Sequence, residues 1–360
     1  MLNVYGITYD HTTNYGSCLQ AYALQTVIDR ITVSNDKCNY KLIPMQTLRG
    51  TSKTNFKGKI KRLIYNFYRK QFEGFENKYM HFSDIRNIES LPLLNRKADA
   101  FVCGSDVIWN PDYNHGLGAY YLDFAEKYKF SYAASFGKAE LGEEDYKWIR
   151  EKLASFDEIS CREQTGVDVV RKCLDRPAVL VVDPVLLLAR EDWRKIANTE
   201  KARKNGKYIF VYATLVNKEF DRFVDKLQKE TGLKVIRSAY SINVAVNQRV
   251  IKVQKPEEWL GLLMNAEYIV TNSFHATAFS VLFHRNFFTF TLPGKNKGIN
   301  IRMNDFLEEL DLGERMISSV PDFLNLQEID FSSADLKLER MCRGSVDFLQ
   351  RNLENAYGQK

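Results

Sequence analysis

The sequence predicts an α/β protein with two units in tandem, and three observations carry that prediction. Short apolar runs, among them Leu2–Thr8, Ala98–Val102, Lys207–Ala213 and Tyr268–Thr271, alternate with stretches of helical spacing, as parallel strands and crossover helices do. Several of these runs close on small polar residues, at Gly104-Ser-Asp106, Ser135-Phe-Gly137 and Asn272-Ser-Phe-His275, and open parallel sheets bind ligands outside the carboxyl ends of their strands. The strand series also starts afresh after Arg190, and 360 residues of 45% hydrophobic composition suffice for two ordinary cores.

In chain order, Leu2–Thr8 is the first strand, followed by the polar loop Asp10–Ser17 and a helical run over Cys18–Ile31. Strand, glycine-containing loop and helix aim free N–H groups and a positive dipole end at an anion. The loop carries neither a G-x-G-x-x-G nor a Walker pattern, so Ser17 either caps the helix or helps to hold a phosphate. Residues 53–70 hold seven basic side chains and no acidic one, with Phe56, Ile60, Leu63, Ile64 and Phe67 at helical spacing. Such a basic amphipathic helix either meets an anionic surface or packs its apolar stripe on its own domain.

Ala98–Val102 then runs into Cys103–Asn110, which places Asp106 near the sheet edge bordered by Ser17. Phe130–Ala134 is another strand, Arg162 and Glu163 precede a helix over Val167–Cys173, and Ala178–Val182 reaches Asp183-Pro184. The second series has strands at Lys207–Ala213, Lys234–Ser238, Tyr268–Thr271 and Asn286–Phe290. Its helices are one opening at Pro256, where proline suits a first turn, and one over Asn300–Leu310. A final helix covers Ser333–Asn355.

The net charge of +6 is modest and argues against a dedicated nucleic-acid binder. Six cysteines form no Cys-x-x-Cys pair, and Val4 already belongs to a strand rather than a secretory signal, so reduced thiols in a cytoplasmic protein are expected. No window approaches the roughly twenty apolar residues that a membrane span needs.

Six blocks taken together resemble the polysaccharide pyruvyl transferase family: Asn14–Gln25, Gly104-Ser-Asp106 with Trp109-Asn110, Ser131–Gly137, Arg162-Glu-x-x-Gly166, Asp183-Pro184 and Ser273-Phe-His275. The resemblance implies two Rossmann-like domains facing each other across a cleft, similar to the glycosyltransferase B fold. An N-terminal domain over 1–187 would serve the acceptor and a C-terminal domain over 188–330 the phosphoenolpyruvate, with a C-terminal helix over 331–360 returning to the first. The implied reaction moves a pyruvyl group from phosphoenolpyruvate onto two hydroxyls of one sugar in a polysaccharide or lipid-linked saccharide. It forms a cyclic ketal, releases phosphate, and calls for no metal and no cofactor beyond that co-substrate.

By resemblance Arg162 is a bidentate clamp on the substrate anion; the alternative is a surface salt bridge with Glu163. His275 is a proton donor to the methylene carbon, an electrostatic clamp on phosphate, or a structural histidine. Asp106, or else Asp10, takes the sugar proton unless it only caps a helix or holds the acceptor. Asn14, Tyr15, Gly16, Ser17, Gly104, Ser105, Ser135, Gly137, Asn272, Ser273 and Phe274 complete the expected substrate-binding set. Of the other histidines, His284 is expected to pack inside its apolar run, while His11 and His115 lie in loops near the candidate sites.

Three positions depart from the family pattern: Ala276 for a common glycine, Asn272 for an aspartate and Val107 for a glutamine. With asparagine at 272, the carboxylate that would tune His275 is lost. The basic helix would hold the enzyme at the inner face of the cytoplasmic membrane, beside lipid-diphosphate-linked acceptors. Two other readings share these residues: a glycosyltransferase using a sugar nucleotide, and a non-catalytic glycan-binding homologue.

Overall fold

Two five-stranded sheets organise the computed structural model, which describes residues 1–10, 12–44, 56–114, 117–138, 140–215, 217–239, 254–292 and 297–359. In the first sheet the order is β2 (Thr32–Val33), β3 (Asp36–Leu42), β1 (Leu2–Ile7), β4 (Ala100–Cys103) and β5 (Tyr128–Ser131). All its pairings are parallel except the β2–β3 hairpin. Two short parallel strands, β6 (Ser160–Cys161) and β7 (Val179–Leu180), continue from β5 through the Phe130–Glu158 and Ala134–Cys161 bridges. Every residue of β4 and β5 is buried, as expected of parallel strands covered on both faces.

The second sheet is parallel throughout, in the order β12 (Met316–Ile317), β11 (Asn286–Phe290), β10 (Tyr268–Thr271), β8 (Tyr208–Ala213) and β9 (Lys234–Ala239). Both sheets point the carboxyl ends of their central strands, β1, β4 and β10, toward the same cleft.

Helix α1 (Tyr15–Arg30) starts three residues earlier than its apolar periodicity suggests. The Asn14 side chain accepts from the Gly16 N–H at 3.0 Å, so Asn14 is the cap and Ser17 lies inside the first turn. The expected strand over Phe130–Ala134 stops at Ser131 because Ala133 turns to a positive φ of 51°. The expected run Ala178–Val182 pairs only at β7, since the Val182 N–H bonds the Ser345 hydroxyl of the last helix at 3.0 Å. The β2–β3 hairpin is an unexpected element, formed because Ser34 and Asn35 adopt positive φ in a two-residue turn.

Helix α2 (Phe56–Tyr79) carries the basic segment. Residues 45–55 and the side chains of residues 56–64, where most of that charge lies, fall outside the described residues. Phe72 and Phe75 anchor the helix in the core, whereas Phe67 is 61% exposed. Arg69 is not part of a cationic face: it is buried and ion-paired with Glu76. No helix among the described residues is long and apolar enough to cross a membrane.

One continuous apolar core joins the two halves. Tyr15 stacks on Trp259 at 5.1 Å, and Trp193 meets Phe279 edge-on at 4.9 Å; each such buried side chain contributes roughly 1.5–3 kcal/mol. The final helix, α3 (Ser332–Gly358), lies on the first sheet, where Phe348 packs against Phe130 and Tyr132 and the Tyr128 hydroxyl donates to Asn352 at 3.0 Å.

Candidate active site

Each functional side chain leaves the end of a strand, or the first turn of the helix that follows. Chain beyond β1 brings Ser17, β4 leads to Asp106, β6 to Arg162 and Glu163, β7 to Asp183, and β10 to the Asn272–His275 turn that opens helix α4 (Phe274–Leu282). Gly104 is required after β4: its φ is +114°, and a Cβ there would run into the Tyr132 carbonyl.

These ends converge on a buried chain of charges. Asp183 Oδ2 accepts from Arg162 Nη1 at 2.6 Å and from the Ser105 hydroxyl at 3.1 Å, and it lies 3.4 Å from His275 Nε2. Asp106 Oδ2 accepts from the Ser17 hydroxyl at 2.6 Å, while Oδ1 accepts from the Val107 N–H at 2.9 Å and faces Arg162 Nη2 at 3.4 Å. The Arg162 guanidinium also lies 4.5 Å over the Phe274 ring. Serine, aspartate, arginine, aspartate and histidine thus form one relay of contacts across the two halves.

Burial alone would raise the pKa of both aspartates, but the charges of His275 and Arg162 outweigh it. Asp183 is held well below the usual carboxylate range and Asp106 is lowered too. Burial would lower Arg162, yet Asp183 and Asp106 raise it. Glu163 goes the other way: burial pushes it up despite Arg162 and Arg302, and its Oε1 accepts from the Ser135 hydroxyl at 2.7 Å.

Above this relay opens a cleft of about 570 Å³, with Ser17, Asp106, Ser273, His275 and Arg302 among the residues that line it. Tyr9, Asn110 and Tyr113 face it from the first half. Ser273 places no side chain on the first N–H groups of α4, so that turn stays available to an anion. Gly16 packs so closely under His275 that a Cβ would overlap the imidazole. Among the described residues, no three His, Cys, Asp or Glu side chains are grouped to hold a metal ion.

Residues 14–292 match the model of the family described as polysaccharide pyruvyl transferase. The chain belongs to this family. Membership makes it a pyruvyl transferase relative with a saccharide acceptor, and among the charged residues of the cluster only Arg302 lies beyond the matched stretch. No curated protein matches the chain in sequence. Among solved structures, the S. aureus MnaA–UDP co-structure shares 9% identity and a TM-score of 0.50, covering 99% of this chain and 91% of that one. UDP-N-acetylglucosamine 2-epimerase from Rickettsia bellii has 14% identity and a TM-score of 0.49, covering 98% of each chain. E. coli heptosyltransferase WaaC with ADP has 10% identity and a TM-score of 0.39, covering 94% of this chain and 100% of that one. At 9% identity the MnaA likeness concerns the fold alone, two α/β units in tandem.

Several expectations for this pyruvyl transferase relative need correction. Asn272 does not face His275. Its Oδ1 accepts from the Thr214 N–H at 2.7 Å, and its Nδ2 donates to the Leu215 carbonyl at 2.6 Å. The carboxylate beside His275 is Asp183, a residue the sequence marked as a motif without giving it a role. Arg162 is neither at the surface nor paired with Glu163; two aspartates occupy its guanidinium. Tyr15 is a core residue, its hydroxyl donating to the Gln254 carbonyl at 2.9 Å.

Ser105, Ser135 and Gly137 brace the carboxylates from behind: Ser105 holds Asp183, and the Gly137 N–H donates to Ser135, which holds Glu163. His284 is partly exposed rather than packed in the apolar run; it bridges Asp335 at 2.8 Å and Arg190, and stacks on Phe331. Ala276 is buried within helical backbone, where alanine is unstrained, and Val107 lines the cleft. His11 and His115 lie outside the described residues. Arg302 was missed altogether, because nothing in the spacing of helix 300–310 separates it from a surface arginine.

Proposed function

We propose that the chain transfers the pyruvyl group of phosphoenolpyruvate to two hydroxyls of one sugar, closing a cyclic ketal and releasing phosphate. The observation that carries this reading is the position of His275 at the cleft floor, with Asp183 3.4 Å from Nε2 and the uncapped first turn of α4 beside it. Phosphoenolpyruvate brings a carboxylate and a phosphate, which call for aimed N–H donors and fixed cations.

In the proposed sequence His275, oriented by Asp183, gives a proton to the methylene carbon, and C2 becomes electron-poor. A sugar hydroxyl bonds to C2 and releases its proton toward Asp106. The C2–O bond to phosphate then breaks and phosphate leaves with its electron pair. The second hydroxyl adds to C2 and gives its proton to the imidazole of His275, left neutral by the first step, which completes the ketal and restores the acid. Asp106 is a weak base, since its pKa is lowered by His275 and Arg162 against the effect of burial. A weak base suffices, because the hydroxyl becomes strongly acidic as it bonds to a cationic carbon.

A sugar nucleotide is the competing donor, as the S. aureus MnaA structure was solved with UDP. Incubation with phosphoenolpyruvate and a panel of saccharides, followed by mass spectrometry and phosphate assay, tests the reading. Ketal gain with stoichiometric phosphate release, abolished by His275→Ala, is the expected result. Sugar-nucleotide binding with no turnover of phosphoenolpyruvate would overturn it.

A further inference from the structure

We propose that Arg302, rather than Arg162, grips an anionic group of the donor, phosphate or carboxylate, in the cleft beside His275. The inference rests on the phosphoenolpyruvate reading for the identity of that donor. Arg302 stands on helix α5 (Lys297–Glu309), beyond the stretch that matches the family, so the family pattern does not mark it.

Two guanidinium groups lie over one ring, that of Phe274. Arg162 lies 4.5 Å and Arg302 5.9 Å from the centre of Phe274. Arg162 is neutralised by Asp183 and Asp106. Arg302 is 9% exposed, yet among the described residues it makes no hydrogen bond or ion pair, and its Nε has no partner. Glu163, Asp106 and Asp183 attract it through space, but none forms an ion pair with it among the described residues; Glu163 turns Oε1 to the Ser135 hydroxyl and leaves Oε2 without a hydrogen bond.

A buried cation with no carboxylate or hydrogen-bond acceptor in contact is costly, and an anionic ligand in the cleft would complete it. Arg302 remains a cation at neutral pH, although burial and the repulsion of Arg162 bring its pKa down to about 10. It lines the same cleft as Ser273 and His275, where the first-turn amides of α4 add donors for the same anion. A planar fork of N–H groups suits either oxygen set of the donor. Arg162 then acts as a positioning residue that fixes Asp106 and Asp183.

Calorimetric titration of the full chain with inorganic phosphate, pyruvate and phosphoenolpyruvate, together with thermal melts, tests this. Arg302→Gln should weaken phosphoenolpyruvate about 10- to 100-fold, with Tm at or above that of the unmutated chain, and Arg302→Lys should recover part of the affinity. A parallel loss for inorganic phosphate identifies the phosphate as the gripped group, and a loss for pyruvate the carboxylate. The proposal falls if Arg302→Gln binds phosphoenolpyruvate as the unmutated chain does. It falls too if Tm drops and Arg302→Lys restores nothing, which marks a structural arginine. If the unmutated chain ignores phosphoenolpyruvate but binds phosphate or pyruvate through Arg302, the donor reading fails and the anion site stands. Binding of none of the three sinks both.

Discussion

Asp183→Asn removes the charge that Arg162 and His275 both face while keeping the shape of the side chain. Asp183 is fully buried; its Oδ2 takes hydrogen bonds from Arg162 and Ser105, and its Oδ1 takes the Val185 N–H at 3.1 Å. If the asparagine carbonyl keeps Val185, its amide points donors at donors on Arg162. Removing one member of a buried, hydrogen-bonded pair costs about 3–5 kcal/mol, a large part of the roughly 5–15 kcal/mol that holds an ordinary domain together. Urea unfolding at neutral pH should therefore show a clearly lowered midpoint, accompanied by loss of ketal formation.

The pH dependence gives an independent reading of the same contact. In the fold the Asp183 pKa lies below its unfolded value of about 3.9, because His275 and Arg162 outweigh burial. Its contribution is thus complete above about pH 4 and lost as pH falls toward the folded value. The stability gap between the unmutated chain and Asp183→Asn should accordingly be full at neutral pH and narrow below about pH 4. An unchanged urea midpoint at neutral pH, or a gap that stays constant on acidification, would refute the assignment of Asp183 as counter-charge.

Two further substitutions probe the neighbours of His275. Gly16→Ala puts a methyl where the imidazole lies, and misplacing a reacting group by about 1 Å costs on the order of 100-fold in rate; steady-state kinetics beside circular dichroism should show lost kcat in a folded chain, and unchanged kcat would show that His275 is not held there. Asn272→Asp turns an oxygen toward the Leu215 carbonyl in place of an N–H, so the urea midpoint should fall by the equivalent of about 1–3 kcal/mol with no shift in the pH profile of activity. A shifted profile would return the tuning of His275 to position 272.

Much of the site was legible because its parts are local. A strand that ends at Gly104-Ser-Asp106, or at Ser273-Phe-His275, announces a sheet edge through a few adjacent residues, and those turns do line the cleft. Helix phase was less accessible: Tyr15, Gly16 and Ser17 share one short block, but the Asn14 cap starts the helix so that Tyr15 faces Trp259, Gly16 His275 and Ser17 Asp106. Asn272 misled because adjacency to His275 in sequence was taken for contact. The first turn of α4 instead carries the ring away from Asn272, toward Asp183 on the other half.

Local patterning was enough for two α/β units, the strand ends that face a ligand and the family resemblance, because apolar periodicity and short motifs are properties of neighbouring residues; it did not reveal the antiparallel β2–β3 hairpin. How the charges pair is set by packing in three dimensions. The Arg162-Glu-x-x-Gly166 motif marks one arginine and nothing local marks Arg302, and neither neighbourhood in sequence tells which of the two meets a carboxylate. The packing of β6, β7 and α5 around Phe274 gives one of them two carboxylates and leaves the other facing the cleft, since electrostatic partnership depends on distance in space rather than along the chain.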